Sequence, residues 1–218
     1  MTYNIAIDGP AGAGKSTIAR RVAKELSFIY VDTGAMYRAI ALFHLREQIN
    51  TDSEEKVKEA LERINISIAY ENGEQQVLLN GENVSGQIRT EEVGNMASKI
   101  SAISCVREKL LDLQRELAQK NDVVMDGRDI GTRILPEAQL KIYLTASADA
   151  RAQRRYKELM EKGVVCSLEE IKQDIMKRDE QDMNRAIAPL TQAKDAVYLD
   201  SSDMTIDEVT EKIKSLAV

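Results

Sequence analysis

Apolar positions along this chain switch repeatedly between two periods, and the switches predict alternating strands and helices. Residues 3–8 form a short buried-strand pattern; Ile18, Val22 and Leu26, with Ala19 and Ala23, then draw a helical stripe. Residues 28–31 repeat the strand pattern and run into Asp32-Thr33-Gly34, where Asp32 or Thr33 can cap a helix continuing through Ile40, Ala41 and His44. Asp52-x-x-Glu55 has the capping-box pattern and opens a helix through Val57, Ala60, Leu61 and Ile64. There the period falls to two: Ile64, Ile66, Ile68 and Tyr70 alternate with other residues. Two hairpin signals follow, Glu71-Asn72-Gly73 and Asn80-Gly81, on either side of a strand over 75–79. Residues 90–103 read as helical. Residues 104–120 read as a better helix, with Val106, Leu110, Leu113 and Leu117 on one face and Arg107 beside that stripe. Strands over 122–125, 139–144 and 197–200 complete the β set. Helices from Ser147, from Ser167-x-x-Glu170 and from Thr205-x-x-Glu208 fill the rest. Strands alternating with helices predict an α/β fold: a five-stranded parallel sheet flanked by helices, carrying a small antiparallel insertion, with ligands at the C-terminal strand ends. The insertion either builds part of a substrate site or is a decorative hairpin.

The first strand and helix enclose Gly9-Pro10-Ala11-Gly12-Ala13-Gly14-Lys15-Ser16, which fits G-x-x-x-x-G-K-[ST]. Glycines let the backbone curl so that successive N–H groups face phosphate oxygens, and the helix N-terminus adds its dipole. Lys15 would then reach the β- and γ-phosphates of a nucleotide, and the Ser16 hydroxyl would hold Mg²⁺. Asp126, at the end of a buried strand, suits the second magnesium role, holding the ion through water; Arg128 and Asp129 flank the same corner.

Cations cluster later in the chain. Arg151, Arg154 and Arg155 follow one another on one helix. Arg178, Asp182 and Arg185 fall on one face of the next, which stops at Ala188-Pro189-Leu190. With no apolar anchor and no evident partners for their charge, these helices are expected to form a mobile flap that brings positive charge to phosphates, held open by repulsion when no nucleotide is bound. Arg38, one turn inside the second helix, either faces a bound phosphate or lies on a solvated face.

Net charge narrows the partners. Thirty basic against 36 acidic residues over 218 positions leave −6, which argues against nucleic-acid or anionic-membrane partners. No run has the form of a signal peptide or a membrane span. Cys105 and Cys166 have no metal spacing and are expected to be free thiols in a reducing cytoplasm. His44 is the sole histidine, so histidine acid/base or metal chemistry is not expected. A GTP-driven switch would need an N/T-K-x-D motif, and Ala193-Lys194-Asp195 does not supply it. No long uncommitted apolar stripe appears, and a monomer is expected.

The chain resembles bacterial cytidylate kinases, which phosphorylate CMP. The resemblance rests on GPAGAGKST at 9–17, DTGAMYR at 32–38, SKISAISCVRE at 98–108, DGRDIGT at 126–132, RRYKEL at 154–159 and RDEQDMNRAIAPL at 178–190. It runs from end to end. One departure is Ser104, where family members usually carry proline; serine there is expected to cap the helix. The resemblance implies a P-loop kinase fold with core segments 1–59, 101–147 and 191–218, an insertion at about 60–100 and a helical lid at about 148–190. It implies ATP on residues 9–17, Thr17 included, with Arg154 at the ATP side of the lid. Ser98, Arg107 and Asp129 match the family's cytosine contacts. Arg38, Arg128 and Arg185 match its contacts to the CMP phosphate, with Thr33 close by. Arg178 and Asp182 match its sugar contacts, which admit CMP and dCMP. Lys15, Arg128 and Arg185 would carry the transfer. The acceptor is already a phosphate anion, so the reaction needs charge neutralisation and alignment rather than a general base.

Overall fold

The computed structural model describes residues 2–217. Its main sheet is parallel, in the order β2-β6-β1-β7-β8, built from β1 (Asn4–Asp8), β2 (Ile29–Asp32), β6 (Val123–Gly127), β7 (Leu140–Thr145) and β8 (Val197–Asp200). β1 lies at the centre, with Asn4 to Asp8 in register with Val123 to Gly127 on one side and Ile5 with Leu140 on the other. The two-residue period of a strand divides the core. Ala6, Val31 and Met125 face a layer made by α2 (Thr33–Arg46), α3 (Glu54–Glu62), α4 (Glu91–Ile100) and α5 (Ser104–Lys120). Ile5, Ile7, Tyr30, Val124 and Ile142 face α1 (Lys15–Leu26) and α8 (Ile206–Leu216). β1, β2 and β6 end at the same edge, which brings the buried carboxylates of Asp8, Asp32 and Asp126 there together.

The insertion follows its two Asn-Gly signals. β3 (Ile66–Glu71) and β4 (Glu74–Leu79) pair antiparallel through a turn in which Asn72 and Gly73 both take positive φ, 52° and 79°. Asn80 and Gly81 repeat this at 51° and 85° before β5 (Glu82–Asn83). Positive φ at both central residues makes the turn twist that suits a two-residue hairpin, and asparagine and glycine tolerate it. Val77, Leu79, Val84, Ile88, Val93 and Ala97 merge with the main core.

Several boundaries differ from the sequence reading. α3 is capped by Ser53, whose Oγ accepts from the Lys56 N–H at 3.4 Å; Asp52 instead pairs with Lys99 at 2.7 Å. The helix ends at Glu62, so Ile64 packs in the core from outside it. Ser104 is the first residue of α5 rather than its cap, and its hydroxyl donates to Glu108 at 2.8 Å. It therefore stands where a proline would fit. The corner after β6 winds into a single wide helical turn over Ile130–Ile134, which the apolar pattern did not announce. The lid helices α6 (Ala148–Glu161) and α7 (Leu168–Asn184) do have an apolar anchor: Ala152, Ile171 and Ile175 pack with Tyr156, Leu159 and Leu168. Among the described residues no helix is long and apolar enough to cross a membrane.

Candidate active site

A cleft of about 980 Å³ opens at the C-terminal strand ends, between the insertion and the lid. One wall is the loop joining β1 to α1. Gly12 and Gly14 take φ of 75° and 83°, the left-handed region that lets the loop curl. Residues 11–17 line the cleft, whereas Gly9 and Pro10, expected among the nucleotide contacts, lie buried behind it. Gly9 has a packing reason for its identity: a Cβ there would stand 1.9 Å from the Leu144 carbonyl oxygen of β7. Pro10 supplies its carbonyl, which accepts from Lys15 Nζ at 2.7 Å and holds that side chain along the loop.

Lys15 is only 5% exposed. Burial, then the Arg128 guanidinium, pull its ammonium below the ordinary lysine value; Asp126 and Asp182 oppose this only in part. Asp126 is pushed the other way, above the carboxylate range, by burial and by neighbouring Asp32. Its Oδ2 accepts from Ser16 Oγ at 2.9 Å and its Oδ1 from Tyr30 Oη at 2.8 Å. Thr33 Oγ1 donates to the Asp126 carbonyl at 2.8 Å. A hydroxyl and a carboxylate facing each other beside a phosphate-shaped loop form a donor set suited to Mg²⁺, which takes oxygen ligands and keeps several waters.

The opposite wall is arginine-rich, and its cations come from several separate elements. Arg107 of α5, expected beside its helix stripe, is in fact 4% exposed. It pairs with Asp129 in a very short contact, donates Nη1 to the Ser101 carbonyl at 2.9 Å, and lies over the Tyr37 ring at 5.4 Å from the centroid. Arg128 Nε donates to Asp182 Oδ2 at 2.7 Å. Arg185 Nη2 stands 3.8 Å from Asp129 Oδ1 and Nη1 3.8 Å from Asp182 Oδ1, and Nε donates to the Ala188 carbonyl at 2.6 Å; Nη2 is buried with no hydrogen-bond partner among the described residues. Arg178 reaches from the lid to the Gly94 carbonyl of the insertion at 3.4 Å. Arg38 also lines the cleft, and among the described residues no carboxylate lies within ion-pair distance of it. Burial and mutual repulsion lower the pKa values of Arg38, Arg178 and Arg185 from their ordinary level. Burial alone would raise Asp182; Arg128, Arg185 and Arg178 outweigh it and hold the carboxyl low. Ser98 of α4 faces the same space. Arg154 sits toward the β8–α8 link, where it donates to the Ser201 hydroxyl at 3.3 Å.

The expectation that the lid cations lack partners is therefore overturned. Asp129 and Asp182 sit among them and offset the repulsion that was to hold the lid open.

Sequence reasoning missed the groups that dock the insertion onto the β2 edge. Gln75 accepts from the Asp32 N–H at 2.9 Å and donates to the Asp32 carbonyl at 3.2 Å; Arg89 pairs with the Asp32 carboxylate at 2.7 Å; Tyr70 Oη donates to the Tyr30 carbonyl at 3.1 Å. Nothing in the local pattern around Tyr70 of β3, Gln75 of β4 or Arg89 of the turn before α4 announces these contacts. It also missed Asp8, whose carboxylate accepts from the N–H groups of Ile130 at 2.8 Å and Gly131 at 2.7 Å, clamping the Arg128–Asp129 corner to the P-loop strand. Burial pushes its pKa up to about 6. A carboxylate closing a fully apolar strand was the available signal.

A family model described as Cytidylate kinase matches residues 5–217. A cytidylate kinase from Caldicellulosiruptor saccharolyticus is 51% identical over 98% of this chain and 94% of its own length. One from Streptococcus pneumoniae is 50% identical over 99% of this chain and 97% of its own. Among solved structures, an uncharacterized protein from Eubacterium ventriosum superposes with a TM-score of 0.53 at 14% identity, covering 100% of this chain and 98% of that one, a likeness of fold alone.

Proposed function

The chain belongs to the cytidylate kinase family, and from that premise we propose how its cleft moves the γ-phosphoryl group of ATP onto CMP. The chain is an ATP-dependent kinase and CMP is its acceptor. The observation that carries the division of labour is the pairing of one backbone-built wall with one arginine-built wall across a single cleft.

Residues 11–17 hold the ATP phosphates, and Lys15 neutralises charge on the phosphoryl group in transit. Ser16, and Asp126 through water, would hold Mg²⁺, which supplies charge neutralisation across the β- and γ-phosphates. Arg154 lies at the ATP side of the lid. On the acceptor side, Arg38, Arg128 and Arg185 bind the CMP phosphate beside Thr33 and bring it in line with the donor. Two polyanions repel each other, and a planar guanidinium answers a phosphate with two parallel N–H bonds. Ser98 and Asp129 accept from the cytosine amino group, and Arg107 donates to the ring acceptors. Arg178 and Asp182 take the sugar from the lid and tolerate both CMP and dCMP. The lid and the insertion together exclude water that would otherwise hydrolyse ATP. Cys105 and Cys166 are free thiols, which supports a cytoplasmic setting.

A coupled ADP-release assay across nucleoside monophosphates tests this. CMP and dCMP should support turnover, with UMP, AMP and GMP well behind. Equal rates with CMP and UMP would remove the cytosine-reading assignment of Asp129, Ser98 and Arg107.

A further inference from the structure

Two buried charged residues have no role in the scheme above. Arg151, in the first turn of α6, is 5% exposed, and Asp179, on α7 between Arg178 and Asp182, is 7% exposed. The Arg151 guanidinium donates in three directions: Nε to the Ala146 carbonyl at 2.8 Å, Nη1 to the Ala11 carbonyl of the P-loop at 2.9 Å, and Nη2 to Asp179 Oδ2 at 2.7 Å. Its stem packs under the loop, where a Cβ on Gly12 would stand 3.4 Å from the Arg151 Cβ. The other Asp179 oxygen, Oδ1, is buried with no hydrogen-bond partner among the described residues. The carboxylate therefore depends on Arg151 for its compensation, and either charge left alone there would be strongly unfavourable. A contiguous path results, from the P-loop backbone through Arg151 and Asp179 to the neighbouring Arg178 and Asp182.

We propose that Arg151 is a positioning residue that couples the grip of the P-loop on ATP to the placement of Arg178 and Asp182 on the acceptor nucleotide, with Asp179 as its anchor on α7. The bond to Ala11 fixes the plane of the guanidinium to the loop that wraps the phosphates. The bond to Asp179 fixes the register of α7 to the same plane. A lysine cannot take over, because one ammonium does not reproduce the planar fork. Nucleotide bound on either side orders a link that the other side also needs, so the coupling is reciprocal. The inference rests on ATP occupying the P-loop and CMP the arginine wall.

Calorimetry on the full chain with Mg²⁺, a non-hydrolysable ATP analogue and CMP tests it. In the wild type, CMP should tighten the analogue by about fivefold or more, and the analogue should tighten CMP by the same factor. In Asp179→Asn that factor should fall below about twofold, while each ligand alone binds within about threefold of wild type. Arg151→Lys should lose the same coupling, and the double variant should lose no more. Lys172→Ala is the control: it cuts the 2.6 Å Lys172–Asp149 pair, which joins the same two helices outside the cleft, and should keep the wild-type factor. Full coupling in Asp179→Asn, an equal loss in Lys172→Ala, or independent binding in the wild type overturns the proposal. If thermal melting shows Asp179→Asn unfolded, Arg151→Lys decides. Failure of either nucleotide to bind the wild type by itself would instead strike the underlying site assignment.

Discussion

The two walls of the cleft solve the same problem, holding a phosphate, by different means. The donor wall is one continuous stretch, residues 11–17, and works through backbone N–H groups and a helix N-terminus. The acceptor wall draws Arg38 from α2, Ser98 from α4, Arg107 from α5, Arg128 and Asp129 from the corner after β6, and Arg178, Asp182 and Arg185 from the end of the lid. The first is complete once the β1–α1 unit forms. The second exists only when the insertion and lid have docked. A contiguous backbone cradle is rigid and serves any nucleoside triphosphate; a wall assembled from distant side chains can move and can select.

Four measurements test that contrast. Lys15→Ala should have the largest effect, lowering kcat by about 10²–10³-fold or more, because it removes a charge whose value lies in the transition state. Steady-state kinetics with circular dichroism check this; near-normal turnover in a folded variant would take Lys15 out of the mechanism. Asp129→Asn should be next, and it should act on selection. The kcat/KM ratio of CMP to UMP should narrow by about 10²-fold, since a carboxylate facing the uracil O4 is mismatched and an amide is not. An unchanged ratio would mean that another group reads the base.

The pH dependence separates the walls more directly. Asp126 must be ionised to hold the metal, and its raised pKa means that activity falls as pH drops through a value above the usual carboxylate range. Lys15 must be protonated, and its lowered pKa means that activity falls as pH rises through a value below the usual lysine range. kcat/KM for ATP should therefore trace a narrow bell, about tenfold lower one pH unit beyond each limb. kcat/KM for CMP, at saturating ATP and magnesium, should be flatter, because the guanidinium groups of its wall do not titrate there. Two identical bells would refute the separation. The smallest effect belongs to Arg89→Ala. The Arg89–Asp32 pair docks the insertion but Arg89 is about half exposed, so the loss is about 1 kcal/mol or less, a rise in KM for CMP of up to about fivefold with KM for ATP unchanged.

The same contrast explains what could be read from the sequence. The P-loop, each single strand and both Asn-Gly hairpins are local patterns legible in consecutive residues, whereas the order in which the parallel strands pair is not. The grouping of Arg178 and Asp182 was also local, because helical spacing aligns them; α7 ends at Asn184, so Arg185, expected on the same helix face, reaches the cleft from extended backbone just past the helix. That Arg107 is buried against Asp129, or that Arg128 meets Asp182 across 54 positions, is a product of docking, and no period in either segment encodes it. The lid's apolar anchor was missed for a related reason. Ala152, Ile171 and Ile175 make a cluster only when two predominantly charged helices face each other. The insertion's attachment through Gln75 and Tyr70 of its strands and Arg89 of the following turn is likewise a product of docking, which no local period encodes.

The carboxylates set among the acceptor arginines have a consequence for life in a phosphate-rich solution. Asp129 and Asp182 are anions tethered inside the cleft, at an effective concentration on the order of millimolar or higher. Orthophosphate reaching for Arg128 or Arg185 must compete with them and brings no base or sugar to engage Ser98, Arg107 or Arg178. In the proposed assignment CMP would bring its phosphate together with groups that give the displaced carboxylates new partners, an amino group for Asp129 and sugar hydroxyls for Asp182. On that assignment the tethered carboxylates would act as a built-in competitor, one that yields to a whole nucleotide and holds against its fragments.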